Sequence, residues 1–204
     1  MKRKVDENKK SKETKLLQSA LTLFTQKDIQ NVTVQEIVNM AGVAKGTFYL
    51  YFHDKYEIRD VLIYKETATL LQQAYQELEQ NDIRNFEDSV IFLINQVLIN
   101  LENNPTILKF IERNLSWGIF QDHLSHVIDN KEINLLQDFT DRAHTNGYHY
   151  ERPEIVLYLI LEMTGSTCYN AILEKKPIDI QSLKPYLFNA IRAILSQGTT
   201  IESL

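Results

Sequence analysis

The segment at residues 33–52 constrains the fold most, because it has the features of two short helices that follow one another closely. The tetrapeptide TVQE starting at Thr33 forms a capping box, in which Thr33 and Glu36 satisfy each other's backbone amides. Gly42 is placed to end the first helix, because glycine readily adopts the left-handed conformation found there. A second short helix is predicted at about residues 44–52. Two short helices joined by a turn that contains glycine indicate a helix-turn-helix unit.

Apolar residues around these two helices have the spacing of a compact three-helix core. A preceding helix is predicted from Ser11, and a long helix is predicted to open at Asp54 with a second capping sequence. The predicted core residues are Leu16, Leu21, Phe24, Ile37, Ala41, Val43, Phe48 and Phe52.

The second short helix has one face that this core does not use. With Phe48 and Phe52 turned inward at i, i+4, Tyr49 lies off their line, and the outer face can enter the major groove of DNA. Lysines and tyrosine hydroxyls suit phosphates, and glycine lets the backbone approach a strand closely. The alternative is that the tyrosines pack in the core. The predicted DNA-contacting residues are Thr33, Lys45, Gly46, Thr47, Tyr49, Tyr51 and Lys55.

The charge distribution is compatible with this prediction, although the net charge is −5. Residues 1–58 carry ten basic and seven acidic side chains, whereas the remainder carries twelve and twenty. A chain with a basic N-terminal part and an acidic remainder can bind a polyanion such as DNA only through the N-terminal part. Residues 1–10 are predicted to be a disordered basic arm, and a solvated tail is the alternative explanation of its charge.

The composition of the chain, and its few glycines and prolines in particular, favour an all-α protein. Six glycines and four prolines leave little material for turn-rich β structure. The single cysteine, Cys168, excludes an internal disulfide framework. The N-terminus has no signal-peptide pattern, and the longest apolar run, 155–161, is too short for a membrane span. We therefore expect a cytoplasmic protein without membrane contact.

The predicted organisation has three parts, with residues 1–10 as the arm, 11–53 as the helix-turn-helix domain and 54–204 as a helical regulatory and dimerisation domain. Within the last part, apolar periodicity predicts further helices. They lie near 86–103, 105–114, 118–144, 153–175 and 180–197.

Residues 41–55, AGVAKGTFYLYFHDK, closely resemble the recognition segment of the TetR family of transcriptional regulators. Residues 33–37 and 20–24 fit the same pattern, so the specific resemblance covers about residues 11–62. Ala44 stands where a serine is common, and Leu50 where a polar residue is frequent. These departures affect the expected operator sequence and leave the fold unaffected.

The resemblance implies a ligand-responsive repressor that binds a palindromic operator in double-stranded DNA as a homodimer. In such proteins a helical domain holds the pocket for a small-molecule effector, and the last two long helices form the dimer, here about 153–175 and 180–197. The helix from Asp54 would link the two functions. The candidate pocket residues are Phe110, Trp117, Phe120, Phe139, Glu162, Met163 and Tyr169.

Several alternatives remain open at this stage. The aromatic pocket candidates could simply fill the core, Glu162 could lie on the wet side of its helix, and a protein partner could replace the small molecule. An enzyme is not expected, because a helical metal oxidase needs Glu-x-x-His pairs, which this chain lacks. No cofactor or metal is predicted. The histidines of the chain do not have the close spacing of a metal-binding motif.

Overall fold

The structure is a computed structural model that describes residues 2–111 and 134–198, and all regular elements of these residues are helical. The all-α prediction is therefore confirmed for this part of the chain. The helices are α1 Lys2–Gln26, α2 Val34–Ala41, α3 Lys45–Phe48, α4 Lys55–Gln80, α5 Phe86–Asn103, α6 Pro105–Ile111, α7 Leu135–Thr145, α8 Pro153–Leu173 and α9 Ile180–Leu195, with a 3₁₀ turn at Ile29–Asn31.

The chain divides into two compact units, residues 1–65 and 66–204, so that the boundary falls within α4. The sequence placed the end of the first domain at residue 53. The first turns of α4 belong to the first unit because Ile58 and Leu62 are buried there. The ammonium group of Lys55 also donates hydrogen bonds to the carbonyls of Gln30 and Val32.

Helix α1 begins at Lys2, whereas the sequence analysis predicted a disordered arm over residues 1–10 and a helix only from Ser11. The difference has a physical reason in composition. Lysine, arginine and glutamate are good helix formers, and neither glycine nor proline interrupts the chain before Gly42. A helix anchored by its buried residues Leu16 and Leu17 can therefore continue toward the N-terminus.

The first unit has the predicted three-helix core, with α1 packed on α2 and α2 on α3. Leu21 and Val43 are only half-buried, whereas Val32 and Ile58 are fully buried although the sequence did not select them. The predicted core residues that are buried are Leu16, Phe24, Ile37, Ala41, Phe48 and Phe52.

The start and the end of α2 are held by the two features that the sequence predicts. The Thr33 side chain accepts from the Glu36 amide at 3.2 Å, and the Glu36 carboxylate accepts from the Thr33 amide at 2.8 Å. Gly42 has φ +66°, and the amide of Val43 returns to the carbonyl of Val38 at 3.1 Å. The Gly42 turn ends α2 at Ala41, so that α3 can start at Lys45 after only three intervening residues.

The second unit contains most of α4 and all later helices, of which α5, α8 and α9 supply much of the core. Helix α8 packs on α6, α7 and α9, and α5 packs on α6, α7 and α9. Phe86 at the start of α5 sits in an aromatic cluster with Phe139, Tyr148 and Tyr150. The Tyr150 hydroxyl donates to the carbonyl of Leu195 at 2.6 Å, which joins this cluster to the end of α9.

Helix α8 carries apolar side chains on its exposed side as well as on its buried side. Ile155 is 44% exposed and Leu159 is 50% exposed, with Tyr158 beside them. Among the described helices, α8 alone is long and apolar enough to cross a membrane by length and composition. A helix that packs on both sides in a water-soluble assembly passes the same criterion.

Candidate nucleic-acid interface and cavity

Helix α3 is shorter than predicted, because it ends at Phe48 rather than near residue 52. The amides of Leu50 and Tyr51 bond to carbonyls three residues earlier, so the chain continues as tight turns. The Phe52 amide still bonds to the Phe48 carbonyl at 3.0 Å, and both rings are buried with centroids 5.7 Å apart. The inward side of the segment is thus as predicted.

The outward side of the same segment is what we call the α3 face. Tyr49 is 54% exposed and rests edge-on against Phe48, with ring centroids 5.4 Å apart. Leu50 is 77% exposed. The α3 face consists of the exposed residues Lys45, Gly46, Tyr49 and Leu50 and the half-buried Thr47. It combines a cation, hydroxyl groups and an open stretch of backbone on one surface.

Gly46 has no structural reason to be glycine within the first unit. Its backbone is not in the left-handed region, and an added Cβ would meet nothing within 4 Å. Glycine is unfavourable in helices because its unfolded chain has the most freedom to lose. The contacts of the first unit therefore do not account for a glycine at this position.

Thr33, at the amino end of α2, has its polar atoms engaged within the protein. Its hydroxyl and amide both contact the Glu36 carboxylate, which also pairs with the Lys27 ammonium at 2.5 Å. Hydrogen bonds from Lys27 and from Thr33 lower the pKa of Glu36 to about 2. The start of α2, where Thr33 is predicted to contact DNA, thus already holds the protein's own carboxylate.

Lys55 is likewise engaged, because its ammonium donates to the carbonyls of Gln30 at 2.9 Å and Val32 at 3.0 Å. It also lies over the Tyr56 ring, 5.4 Å from the centroid. Tyr51 is half-buried and packs beside Phe52, with centroids 6.3 Å apart. Lys55 and Tyr51 thus both have contacts inside the first unit.

The second unit encloses a cavity of about 70 Å³ among α4, α5, α7 and α8. Its wall is almost wholly apolar. Representative wall residues are Leu70, Leu71, Val90, Leu93, Phe139 and Leu161.

One edge of this cavity carries a set of paired polar groups. The Tyr75 hydroxyl donates to Asp138 at 2.7 Å, and the Arg142 Nε donates to the same carboxylate at 2.8 and 3.0 Å. Burial, followed by the charge of Asp138, raises the pKa of Tyr75 above its ordinary value, so the phenol stays neutral. Each charge at this edge thus has an opposite charge beside it.

The pocket residues predicted from the sequence do not all come together. Phe139 lines the cavity, and Tyr169 lines a separate one of about 20 Å³. Phe110 and Met163 pack against the core and line neither of these two cavities, and Glu162 is partly exposed. Trp117 and Phe120 lie outside the described residues.

Sequence reasoning missed the polar members of the cavity wall, which are Thr67, Tyr75, Asp138 and Arg142. A signal was present in α4, where Thr67 shares helical spacing with Leu70, Leu71 and Ala74. Polar residues next to an apolar stripe are usually assigned to the solvent-exposed side of a helix. Only the packing of α7 against α5 and α8 shows that these side chains face a cavity.

The described residues contain no group of three or more His, Cys, Asp or Glu side chains that could hold a metal ion. The rings of His144 and His149 are 5.1 Å apart and both residues are exposed. Two further histidines, His123 and His126, lie outside the described residues.

A capped helix, a tight glycine turn and a second helix with a basic outer face define a helix-turn-helix protein. Residues 16–62 match the sequence model described as "Bacterial regulatory proteins, tetR family". This segment of the chain is therefore similar to the TetR family of bacterial regulatory proteins.

Known proteins that are similar to this chain are described as HTH-type transcriptional regulators. The HTH-type transcriptional regulator YxbF of Bacillus subtilis is 38% identical over 53 residues, which are 26% of this chain and 14% of that protein. An HTH-type transcriptional regulator of Haemophilus influenzae is 25% identical over 83% of this chain and 85% of its own length. The fold is similar to that of the transcriptional regulator FadR of Bacillus subtilis in complex with stearoyl-CoA, with a TM-score of 0.58, 14% identity and coverage of 90% and 97% of the two chains.

Proposed function

We propose that this chain is a DNA-binding transcriptional regulator that reads duplex DNA through the α3 face. The observation that carries this proposal is the outward placement of Lys45, Gly46 and Tyr49 beside a buried Phe48–Phe52 pair. In helix-turn-helix proteins the second helix enters the major groove with its first residues at the base edges. The exposed start of α3 matches this requirement.

Each residue of the α3 face has a proposed role that its position supports. Lys45 pairs with a phosphate or, at a G·C pair, with the guanine edge. Gly46 lets a strand approach the helix backbone. Thr47 bonds to a base or meets a thymine methyl group, and the Tyr49 hydroxyl donates to a phosphate. The exposed Leu50 adds an apolar contact to a thymine methyl group.

Thr33, Tyr51 and Lys55 have a supporting place in this proposal. Their contacts within the first unit hold the start of α2, the segment after α3 and the start of α4. An ammonium has three donors, and Lys55 uses two of them on carbonyls, which leaves one for a phosphate. We infer that these residues mainly position the α3 face and add at most peripheral contacts to DNA.

We also propose a homodimer formed through α8 and α9. Ile155, Tyr158 and Leu159 form an exposed apolar stripe at i, i+3, i+4 on α8, and Tyr186 of α9 is also exposed. Paired helices from two copies can bury such stripes in a four-helix bundle with two-fold symmetry. A two-fold dimer would bind a palindromic operator, and the protein would work in the cytoplasm, where the DNA is.

Control by a small molecule is the third part of the proposal, with repression as the outcome. The apolar cavity of the second unit supports it, and the similarly folded FadR was solved with stearoyl-CoA. Because α4 contributes residues to both units, it provides a continuous connection between cavity and first unit. A ligand can alter operator affinity only by binding the two states of the regulator with different affinities.

The direct test measures operator affinity for Lys45→Ala and Tyr49→Ala by fluorescence anisotropy at several salt concentrations. Each substitution is expected to weaken binding by about tenfold or more. In a dimer, Lys45→Ala is also expected to reduce the salt-dependence slope by about 2, because two phosphate contacts are lost.

The control is Lys109→Ala, which removes the same charge from an exposed position on α6. It is expected to leave affinity and salt slope as in the wild type. If Lys45→Ala and Tyr49→Ala bind DNA as Lys109→Ala does, the assignment of the α3 face is wrong.

A further inference from the structure

We propose that the cavity of the second unit takes a small, uncharged, mostly apolar ligand or ligand group that exchanges one hydrogen bond with the Thr67 hydroxyl. This inference rests on the proposed ligand control and names the chemical class of the effector. Three observations support it. They are the Thr67 hydroxyl without a partner among the described residues, the pairing of the charged side chains in the cavity wall, and the volume of the cavity.

Thr67 lies in the cavity wall, is only 1% exposed, and its hydroxyl has no hydrogen-bond partner among the described residues. This is unusual within the protein itself. Other threonines in the described helices donate to the carbonyl four residues earlier, namely Thr14, Thr22, Thr25, Thr140, Thr145, Thr164 and Thr167. A buried hydroxyl that forgoes this bond is unfavourable unless another group supplies a partner.

Thr164 gives an internal comparison, because it lines the same cavity and is also buried. Its hydroxyl donates to the Ile160 carbonyl at 2.7 Å, so its hydrogen-bonding donor is already used. Ser89, a further hydroxyl on the wall, donates to the Phe86 carbonyl at 2.7 Å. Of the three hydroxyl groups, Thr67 alone is left with both its donor and its acceptor capacity, so a ligand's polar atom belongs beside it.

The ligand is uncharged because no unpaired charge lines the cavity among the residues that the structure describes. Asp138 accepts from both Tyr75 and Arg142, so its charge is offset by the guanidinium that lies against it. An added carboxylate would be placed near Asp138, and an added cation near Arg142. Either would also lose its hydration inside an apolar wall, which costs far more than transfer of a neutral oxygen.

The size of the cavity limits what can be enclosed. About 10–15 Å³ of such volume admits one water molecule, so the 70 Å³ found here has room for roughly five to seven water-sized atoms without rearrangement. A single ring or a short branched chain with one hydroxyl or carbonyl oxygen fits that description. A larger effector would place only such a terminal group beside Thr67.

The test uses three probes of one shape, phenol, toluene and benzoate, titrated into the full-length protein by calorimetry. The measured quantity is the ratio of the toluene Kd to the phenol Kd, which isolates the hydroxyl from the apolar ring. Thr67→Val is expected to lower this ratio by about fivefold, the factor that one net hydrogen bond contributes. Thr67→Ser, which keeps a hydroxyl, is expected to retain the wild-type ratio.

Thr164→Val is the matched control and is expected to leave the ratio unchanged, since it removes a hydroxyl of the same cavity that is already bonded. A ratio that is equal in wild type and Thr67→Val, or no saturable binding of any probe, overturns the inference. Benzoate binding more tightly than phenol at neutral pH also overturns it, because Arg142 would then be binding a carboxylate.

The same wild-type preparation is assayed for DNA binding. If the Kd ratio depends on Thr67 but the protein does not bind DNA, only the regulator proposal is contradicted. If the protein binds DNA but the Kd ratio does not depend on Thr67, only the proposed ligand class is contradicted.

Discussion

Gly46 and Thr67 each lower the stability of the unit in which they lie. Gly46 occupies a helical position that any residue could take, since an added Cβ meets nothing within 4 Å. Thr67 buries a hydroxyl that has no partner among the described residues. Residues that oppose folding are expected where a protein meets a ligand, because a bound molecule supplies the missing contact. One residue therefore marks the surface proposed for DNA and the other the cavity.

Replacing Gly46 by alanine separates stability from binding. Gly46→Ala is expected to raise the free energy of unfolding by a few tenths to about 1 kcal/mol, because alanine loses less chain entropy in a helix. Operator affinity is expected to fall, because the new methyl group lies where the DNA strand approaches. Thermal unfolding and anisotropy measure the two effects on one preparation. A variant that is more stable and binds DNA with unchanged affinity would show that Gly46 has no part in DNA contact.

Valine substitutions at the two cavity threonines are expected to have opposite effects on stability. Thr67→Val removes an unpaired buried hydroxyl and should raise the free energy of unfolding by about 1 kcal/mol. Thr164→Val removes a hydroxyl that is bonded at 2.7 Å and should lower it by about 1 kcal/mol. Chemical denaturation without added ligand measures both values. Equal destabilisation by the two substitutions would indicate that the Thr67 hydroxyl is satisfied in solution.

At the scale of the elements, the start of α2 depends on charge as well as on hydrogen bonds. The Glu36 carboxylate accepts from the Thr33 amide and pairs with Lys27 at 2.5 Å, and its pKa is lowered from 4.5 to about 2. Since the folded pKa lies below the ordinary value, the charged carboxylate stabilises the fold above about pH 4.5. That contribution is lost as the pH falls from 4.5 toward 2.

Glu36→Gln provides the corresponding prediction. Glutamine can keep the capping geometry but not the ion pair with Lys27, so the variant should unfold at a lower temperature than the wild type at pH 7. The difference in Tm should shrink steadily between pH 4.5 and pH 2, as the wild-type carboxylate becomes protonated. Thermal scans across this range test it. A difference that does not change with pH would mean that charge has no role at this position.

Local signals determined which elements of the first unit could be predicted from sequence. The Thr33–Glu36 capping box and Gly42 are confirmed because short-range chemistry decides them. The shortened α3 and the early start of α1 were missed, since they depend on packing and on continuation from an anchored helix. The cavity could not be predicted from local signals, because its wall brings together α4 and α8, which are about a hundred residues apart in the sequence.

At the scale of the whole molecule, the apolar stripe of α8 requires a covering surface. We propose that a second copy covers it, and Leu159→Glu tests this because the residue is half exposed and lies in the stripe. The variant is expected to sediment as a monomer where the wild type is a dimer, since burying an unpaired carboxylate is unfavourable. Met40→Glu, at an exposed apolar position of α2, is the control and should stay dimeric. A dimeric Leu159→Glu protein would place the interface elsewhere.

Selection of bound sequences from random duplex DNA is the sharpest test of DNA reading by the α3 face, because the operator sequence need not be specified in advance. We expect enrichment of a palindromic site whose half-sites lie about one helical turn, or a multiple of it, apart. The Lys45→Ala protein is expected to yield no such enrichment under the same conditions. If the wild-type chain enriches no sequence even at low salt, or if Lys45→Ala enriches the same site equally well, the α3 face does not read DNA.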